Sequence, residues 1–279
     1  MSVLSDLVRE CAVPLNGSAI DYDQLIERVG DAHLVLLGEA THGTHEFYRE
    51  RAQITKRLIK EKRFQAIAVE ADWPDSCRVN RFVRGMSDDE DATDALAEFE
   101  RFPQWMWRNA DVLDFVGWLR AYNDDKSPAD EIGFYGLDLY SLHASIEAII
   151  AYLTKMDTAA GERARVHYAC FDRFDRDPNA YGLPSALAIA PACEEAVIHA
   201  LAELRGRHPD FVGRDGSRAA DEYFCAERNA VAIKNAEHYY RTMFRGEVSS
   251  WNLRDNHMLD TLQSLMAHLD QERREPKVV

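Results

Sequence analysis

From His33 to Leu37 the chain is almost continuously apolar, and it stops at Gly38. An apolar run of that length closed by a turn residue predicts a strand buried on both faces, the parallel-sheet type. A helical pattern follows over about 44–62, with Phe47, Ile54, Leu58 and Ile59 recurring at helical spacing. Ala66-Ile67-Ala68-Val69 is then a second buried strand, ending at Glu70. Residues 33–70 therefore read as one strand–helix–strand unit with a right-handed crossover.

The rest of the chain is arranged around that unit. Short helices are expected over 2–12 and 22–30, the second opening at Asp21 or Asp23 as N-cap. Residues 108–125 form a further helix, with Val112, Phe115, Val116 and Leu119 on one face. Ile132-Gly133-Phe134-Tyr135-Gly136 is a third strand, leading to Asp138. Beyond it the strand signal vanishes, and helices are broken near Asp177-Pro178, Gly182, Pro184, Pro191, Pro209 and Gly213. The closing Pro276-Lys277-Val278-Val279 looks like the start of a fourth strand. The expected fold class is α/β: a mostly parallel sheet sandwiched by helices, with a helical subdomain inserted after the third strand. Its divisions are 1–141 for the core, 142–274 for the subdomain and 275–279 for the further core strand.

Composition narrows the partners. A chain of 279 residues can bury a sizeable core. Its formal net charge of -15 repels nucleic-acid phosphates and anionic membranes, so both are set aside as partners. The five cysteines include no C-x-x-C pair, and scattered, unpaired cysteines suit a reducing compartment. There is no signal-peptide run at the start, and no stretch approaches the ~18 apolar residues of a membrane span. The expectation is a cytoplasmic protein acting on a small molecule.

In a parallel sheet, ligands bind beyond the carboxyl ends of the strands. Three expected strands end in an acid: Glu39, Glu70 and Asp138. The first lies in Gly38-Glu39-Ala40-Thr41-His42-Gly43-Thr44-His45, which sets two histidines beside an acid between a strand and a helix. A histidine beside carboxylates gains basicity and a fixed tautomer, the requirements of a general base near neutral pH. Structural roles stand beside these. Glu39 can cap the next helix, His45 sits on that helix's first turn, and Asp138 can cap a helix at Ser141. Arg51 lies about two turns along, ~10 Å from the loop at ~1.5 Å per residue, a distance that a long guanidinium largely covers.

Taken together, Gly38-Glu39-Ala40-Thr41-His42-Gly43, Arg51 and Val69-Glu70-Ala71-Asp72 resemble the signature of the erythromycin esterase family. Three later stretches agree in order: Phe102-Pro103-Gln104-Trp105-Met106-Trp107-Arg108-Asn109, Tyr135-Gly136-Leu137-Asp138, and Trp251-Asn252-Leu253-Arg254-Asp255-Asn256-His257-Met258. The resemblance implies hydrolysis of a carboxylic ester, of macrolactone type, by general-base activation of water. His42 corresponds to the base, Glu39 and Glu70 to the acids that polarise it or hold the water, and Arg51 to the group that steadies a carboxylate or the oxyanion. Trp105 and Trp107 are candidates for a substrate wall, and Arg254, Asp255 and His45 for further substrate contacts. The family pattern continues, after a strand like Lys277-Val278-Val279, into a His-Asn-x-His motif. That motif lies beyond this sequence, so the expectation is a site that lacks one wall and a chain whose activity is weakened or lost.

Rival chemistries are less well supported. No G-x-S-x-G elbow and no G-x-x-x-x-G-K-[ST] loop is present. His42 and His45 with Glu39 and Glu70 offer nitrogen and oxygen ligands for zinc or manganese, but H-x-x-H followed by Glu46 matches neither H-E-x-x-H nor H-x-x-E-H. The expectation is a site without metal or other cofactor. A haem-like ligand-binding role would need a large apolar pocket, for which Trp73, Trp105, Trp107 and Trp251 are the available lining.

Overall fold

The computed structural model describes residues 3–101, 103–174, 178–187, 193–207, 217–244, 249–272 and 275–279. The expected helix breaks at Asp177, Pro191, Pro209 and Gly213, and Phe102 of the substrate-wall stretch, lie outside those residues. The first half contains helices α1 (Val3–Cys11), α2 (Asp23–Val29), α3 (His45–Lys62), α4 (Trp73–Val83), α5 (Ala92–Ala95) and α6 (Ala110–Asn123). Strands β1 (Ala66–Asp72) and β2 (Gly133–Asp138) lie among them. The second half is helical: α7 (Leu142–Met156), α8 (Thr158–Tyr168), α9 (Pro178–Ala186), α10 (Glu194–Gly206), α11 (Ser217–Met243) and α12 (Ser249–Glu272). No helix among the described residues is long and apolar enough to cross a membrane.

Neither Asp21 nor Asp23 caps α2. Tyr22 holds the N-cap position, and Asp21 turns back to accept the backbone N–H groups of Asn16 and Ser18. Helix α3 stops at Arg63, whose left-handed φ of 61° lets its N–H reach the carbonyl of Leu58. Helix α9 runs through Gly182 and Pro184, two of the expected breaks. Packing overrides the breakers: Tyr181 is fully buried, and Gly182 is pressed against Phe244 and the Tyr240 carbonyl.

β1 and β2 pair in parallel from Ala66 opposite Gly133 to Asp72 opposite Asp138, with an irregularity between Val69 and Asp72. Gly136 is required there, because a Cβ would lie 2.6 Å from the Ala71 carbonyl and 2.8 Å from that of Asp72. On the other side of β1 lies the C-terminal segment. Gln65 donates to Lys277, Ala68 to Val279, and Val279 to Ala66. Val278 also pairs with the first apolar run, donating to His33 and accepting from Val35. The lateral order is therefore 33–35, 277–279, β1, β2, all parallel.

The first run departs from its expected burial. It forms a single bridge at Leu34, and Leu34 and Leu36 are 43% and 86% exposed. Among the described residues its hydrogen bonds run to the 276–279 segment alone, to Val278 and, from the His33 ring, to the Pro276 carbonyl, so it lies at an edge rather than between two strands.

Side chains alternate across the sheet as the pleat demands. Ile67 and Phe134 join a core with Leu58 of α3 and Phe115 and Leu119 of α6. Ala66 and Tyr135 join another with Phe224 of α11 and Leu265 and Leu269 of α12. The α7–α11 helices build a third core around Ile149, Tyr181 and Ile233. Among the cysteines the expectation fails: Cys77 pairs with Cys225 and Cys170 with Cys193, leaving Cys11 free and exposed. The first pair joins residues 148 apart in sequence, a closeness that spacing alone does not reveal.

Candidate active site

Residues 38–44 carry the chain from the edge segment into α3, and Gly43 makes the turn with φ at +82°. Its lack of a side chain leaves room for the indole of Trp105, which would stand 2.8 Å from a Cβ at that position. The loop brings His42 back over Glu39, with Nδ1 2.5 Å from Oε1. Arg51 approaches from the second turn of α3, its Nη2 2.8 Å from Oε2 of the same carboxylate. Glu39 thus bridges an imidazole and a guanidinium while its own side chain is only 8% exposed. A carboxylate so placed must be paired to be tolerated: Oε1 is bonded to the imidazole, and Oε2 is met by the Arg51 charge without a hydrogen bond of its own. The Arg51 guanidinium also lies 4.8 Å above the Tyr48 ring, which limits its freedom.

These residues face a cavity of about 520 Å³ whose other walls include Leu37, Val112, Phe115 and Met258. Glu39, His42, Arg51 and Glu70 all line it. So do Trp107 and Val279, the last residue of the pairing segment. The lining is mainly apolar with a few convergent charged groups, the pattern of a small-molecule site.

The remaining candidates divide. His45 pairs its Nδ1 with Asp111 Oδ2 at 2.7 Å, tying the first turn of α3 to the first turn of α6, and Asp111 itself lines the cavity. Trp105 is half exposed over Gly43 and outside the lining. Arg254 donates to both Glu70 and Asp138 and also lies outside the lining, while Asp255 is exposed to solvent. The four tryptophans do not converge: Trp73 is buried with its N–H on the Cys225 carbonyl, and Trp251 is 63% exposed. Among the described residues, no three His, Cys, Asp or Glu side chains gather in a way that would hold a metal ion.

Sequence reasoning does not single out Asp111, Tyr48 or Met258. Asp111 had a findable signal. It lies in the first turn of a helix capped by Asn109, whose side chain accepts from Val112 N–H, directly after the Trp105–Asn109 stretch.

The chain is similar to known proteins in sequence and in fold. A sequence model described as erythromycin esterase matches residues 59–279. That range includes Glu70, Asp138 and Arg254 but begins after Glu39, His42 and Arg51. The chain is 27% identical over 119 residues to erythromycin esterase type II of Escherichia coli, a stretch covering 43% of this chain and 26% of that protein. In structure it is similar to a succinoglycan biosynthesis protein, with TM-score 0.73 and 21% identity over all of this chain and 65% of the other. It is also similar to an erythromycin esterase mutant in its open conformation, with TM-score 0.62 and 17% identity over 94% of this chain and 63% of the other. The chain therefore spans less than two thirds of the length of each.

Proposed function

The chain belongs to the erythromycin esterase family, and on that footing we propose that it hydrolyses a carboxylic ester, of macrolactone type, through a water activated by His42. The observation that carries this reading is the single buried carboxylate of Glu39 shared between His42 and Arg51 at the wall of an apolar cavity.

With its Nδ1 proton donated to Glu39, His42 keeps the Nε2 lone pair for a water. That nitrogen takes one water proton as the oxygen attacks the ester carbonyl. The carbonyl π electrons move onto oxygen, and the oxyanion is met by positive charge in the cavity, the role assigned to Arg51. Collapse breaks the C–O bond, and the imidazolium returns its proton to the leaving alkoxide. Glu39 holds the ring and balances its transient charge, while Glu70 orients the water from the facing strand end. The apolar walls, Trp107 among them, take the hydrocarbon part of the substrate. Asp111 fixes His45 at the cavity rim, where the imidazole offers a polar contact to the substrate. A base tuned near neutral pH contributes ~10²–10⁴-fold.

The test is turnover of erythromycin and a panel of other esters, followed by mass spectrometry as the gain of one water, with and without EDTA. Hydrolysis by the wild type, its loss in His42→Ala and its resistance to EDTA are expected. Equal turnover by His42→Ala would remove the base, and EDTA sensitivity would replace it with a metal.

A further inference from the structure

Arg254, on α12, reaches two strand ends at once. Its Nε and Nη2 hold the two oxygens of Asp138 at 3.1 and 2.7 Å, and Nη2 also donates to Glu70 Oε1 at 2.6 Å. Asp138 is 2% exposed and Glu70 is 42% exposed at the cavity. The guanidinium itself does not line the cavity, whereas Glu70 does.

We infer that Asp138 and Arg254 form a positioning arm that fixes the Glu70 carboxylate at the cavity wall, so that Arg254 serves the reaction through Glu70 and not by touching substrate. The inference rests on the esterase reading for the role of Glu70. Three observations support it. Glu70 falls in the irregular stretch of β1 between Val69 and Asp72, where regular pairing does not set its direction. The fork of Arg254 is already committed through Nε and Nη2, so a substrate would have to displace one of two carboxylates to reach those donors. Finally, the arm is braced. The Tyr140 ring lies 5.0 Å from the Arg254 guanidinium and 4.8 Å from that of Arg101. One helical turn beyond Arg254, His257 is buried, bonded to the side chain of Asn235 through Nδ1 and to the backbone of Asp138. The same α12 residues therefore hold both the side chain and the backbone of Asp138.

Charge explains why the arm needs its cation. Two carboxylates at neighbouring strand ends repel, and one is almost completely buried. The guanidinium between them offsets that repulsion and sets the direction of the exposed one.

The experiment is a double-mutant cycle of Glu70→Gln and Arg254→Gln, with Arg254→Lys as the conservative variant, read in kcat, in KM and in thermal unfolding. Arg254→Gln is expected to lower kcat by about as much as Glu70→Gln, roughly 100-fold, with KM changed less than about threefold. The double variant should lose no more than Glu70→Gln alone, and Arg254→Lys should recover part of the loss. In unfolding, the two Tm shifts should be less than additive. A substrate-contacting arginine would instead raise KM, and its loss would multiply with that of Glu70; either result overturns the arm. If the wild type hydrolyses no ester, the esterase reading fails while the unfolding cycle still decides the arm, and strictly additive Tm shifts would reject it.

Discussion

Gly43 lies beneath the indole of Trp105, so closely that a Cβ on it would meet the ring at 2.8 Å, and its φ of +82° is one that other residues adopt only under strain. Both effects act on the loop that carries His42. Gly43→Ala should cost ~1–3 kcal/mol of stability and lower ester turnover by more than tenfold, because the loop must move to relieve the contact. Adding Trp105→Ala removes the clash but not the strained φ. The double variant should therefore recover only part of the loss in Tm and kcat. An unchanged Gly43→Ala enzyme would show that the loop geometry is not required.

Glu39 has two partners, and replacing it disturbs both. Glu39→Gln keeps the shape but loses the charge that balances the His42 imidazolium and the Arg51 guanidinium. The expected fall in kcat is about 100-fold. Groups that act as a unit are not additive, so Glu39→Gln combined with His42→Ala should be little worse than His42→Ala alone. Losses that multiply would assign Glu39 to an independent task.

Asp75 is in the first turn of α4, where the helix dipole favours a negative charge by ~0.3–1 kcal/mol. Burial wins. Desolvation, followed by the neighbouring charges of Asp72 and Glu98, pushes its carboxyl up from 3.8 to about 8. The folded state thus holds a proton that the unfolded state releases above pH ~4. Its contribution is fully present below the unfolded pKa and is lost as pH rises towards 8. Asp75→Asn should therefore raise Tm at pH 8 relative to the wild type and do little at pH 4. Thermal unfolding across that range checks it, and a parallel offset at every pH would refute the titration.

How much of this could be read from the chain follows from distance along it. The loop of the site is local: Glu39 and His42 are three residues apart, and Arg51 is on the helix they introduce, so one short window displays the cluster. The helix over 44–62 and the strand over 66–69 are likewise set by periodicity within a window. The partners of Arg254 lie 116 and 184 residues away, and no local pattern pairs them. The same holds for Cys77 with Cys225. The exposure of Leu36 escaped for another reason: an apolar run signals burial only where a neighbour supplies it, and the edge position of 33–37 is a property of the sheet order. Pro184 inside α9 shows the converse, with tertiary packing holding a helix that its sequence would break.

His257 gives the opposite pH signature to Asp75. Desolvation first, and then the nearby Arg228, depress its pKa from 6.5 to about 4. The folded protein therefore keeps the imidazole neutral where the unfolded chain would protonate it. Its share of stability is present above the unfolded pKa and drains away as pH falls from about 6.5 towards 4. His257→Asn keeps a group able to bond the Asp138 backbone but cannot charge. It should cost stability at pH 7.5, through lost packing of a buried ring, and cost less at pH 5. Because the folded protein keeps His257 neutral down to about pH 4, kcat of the wild type and of the variant should change in parallel between pH 7.5 and pH 5. Tm and kcat measured at both pH values test this, and a deficit in the variant that is constant from pH 7.5 to pH 5 would show that His257 does not titrate with unfolding.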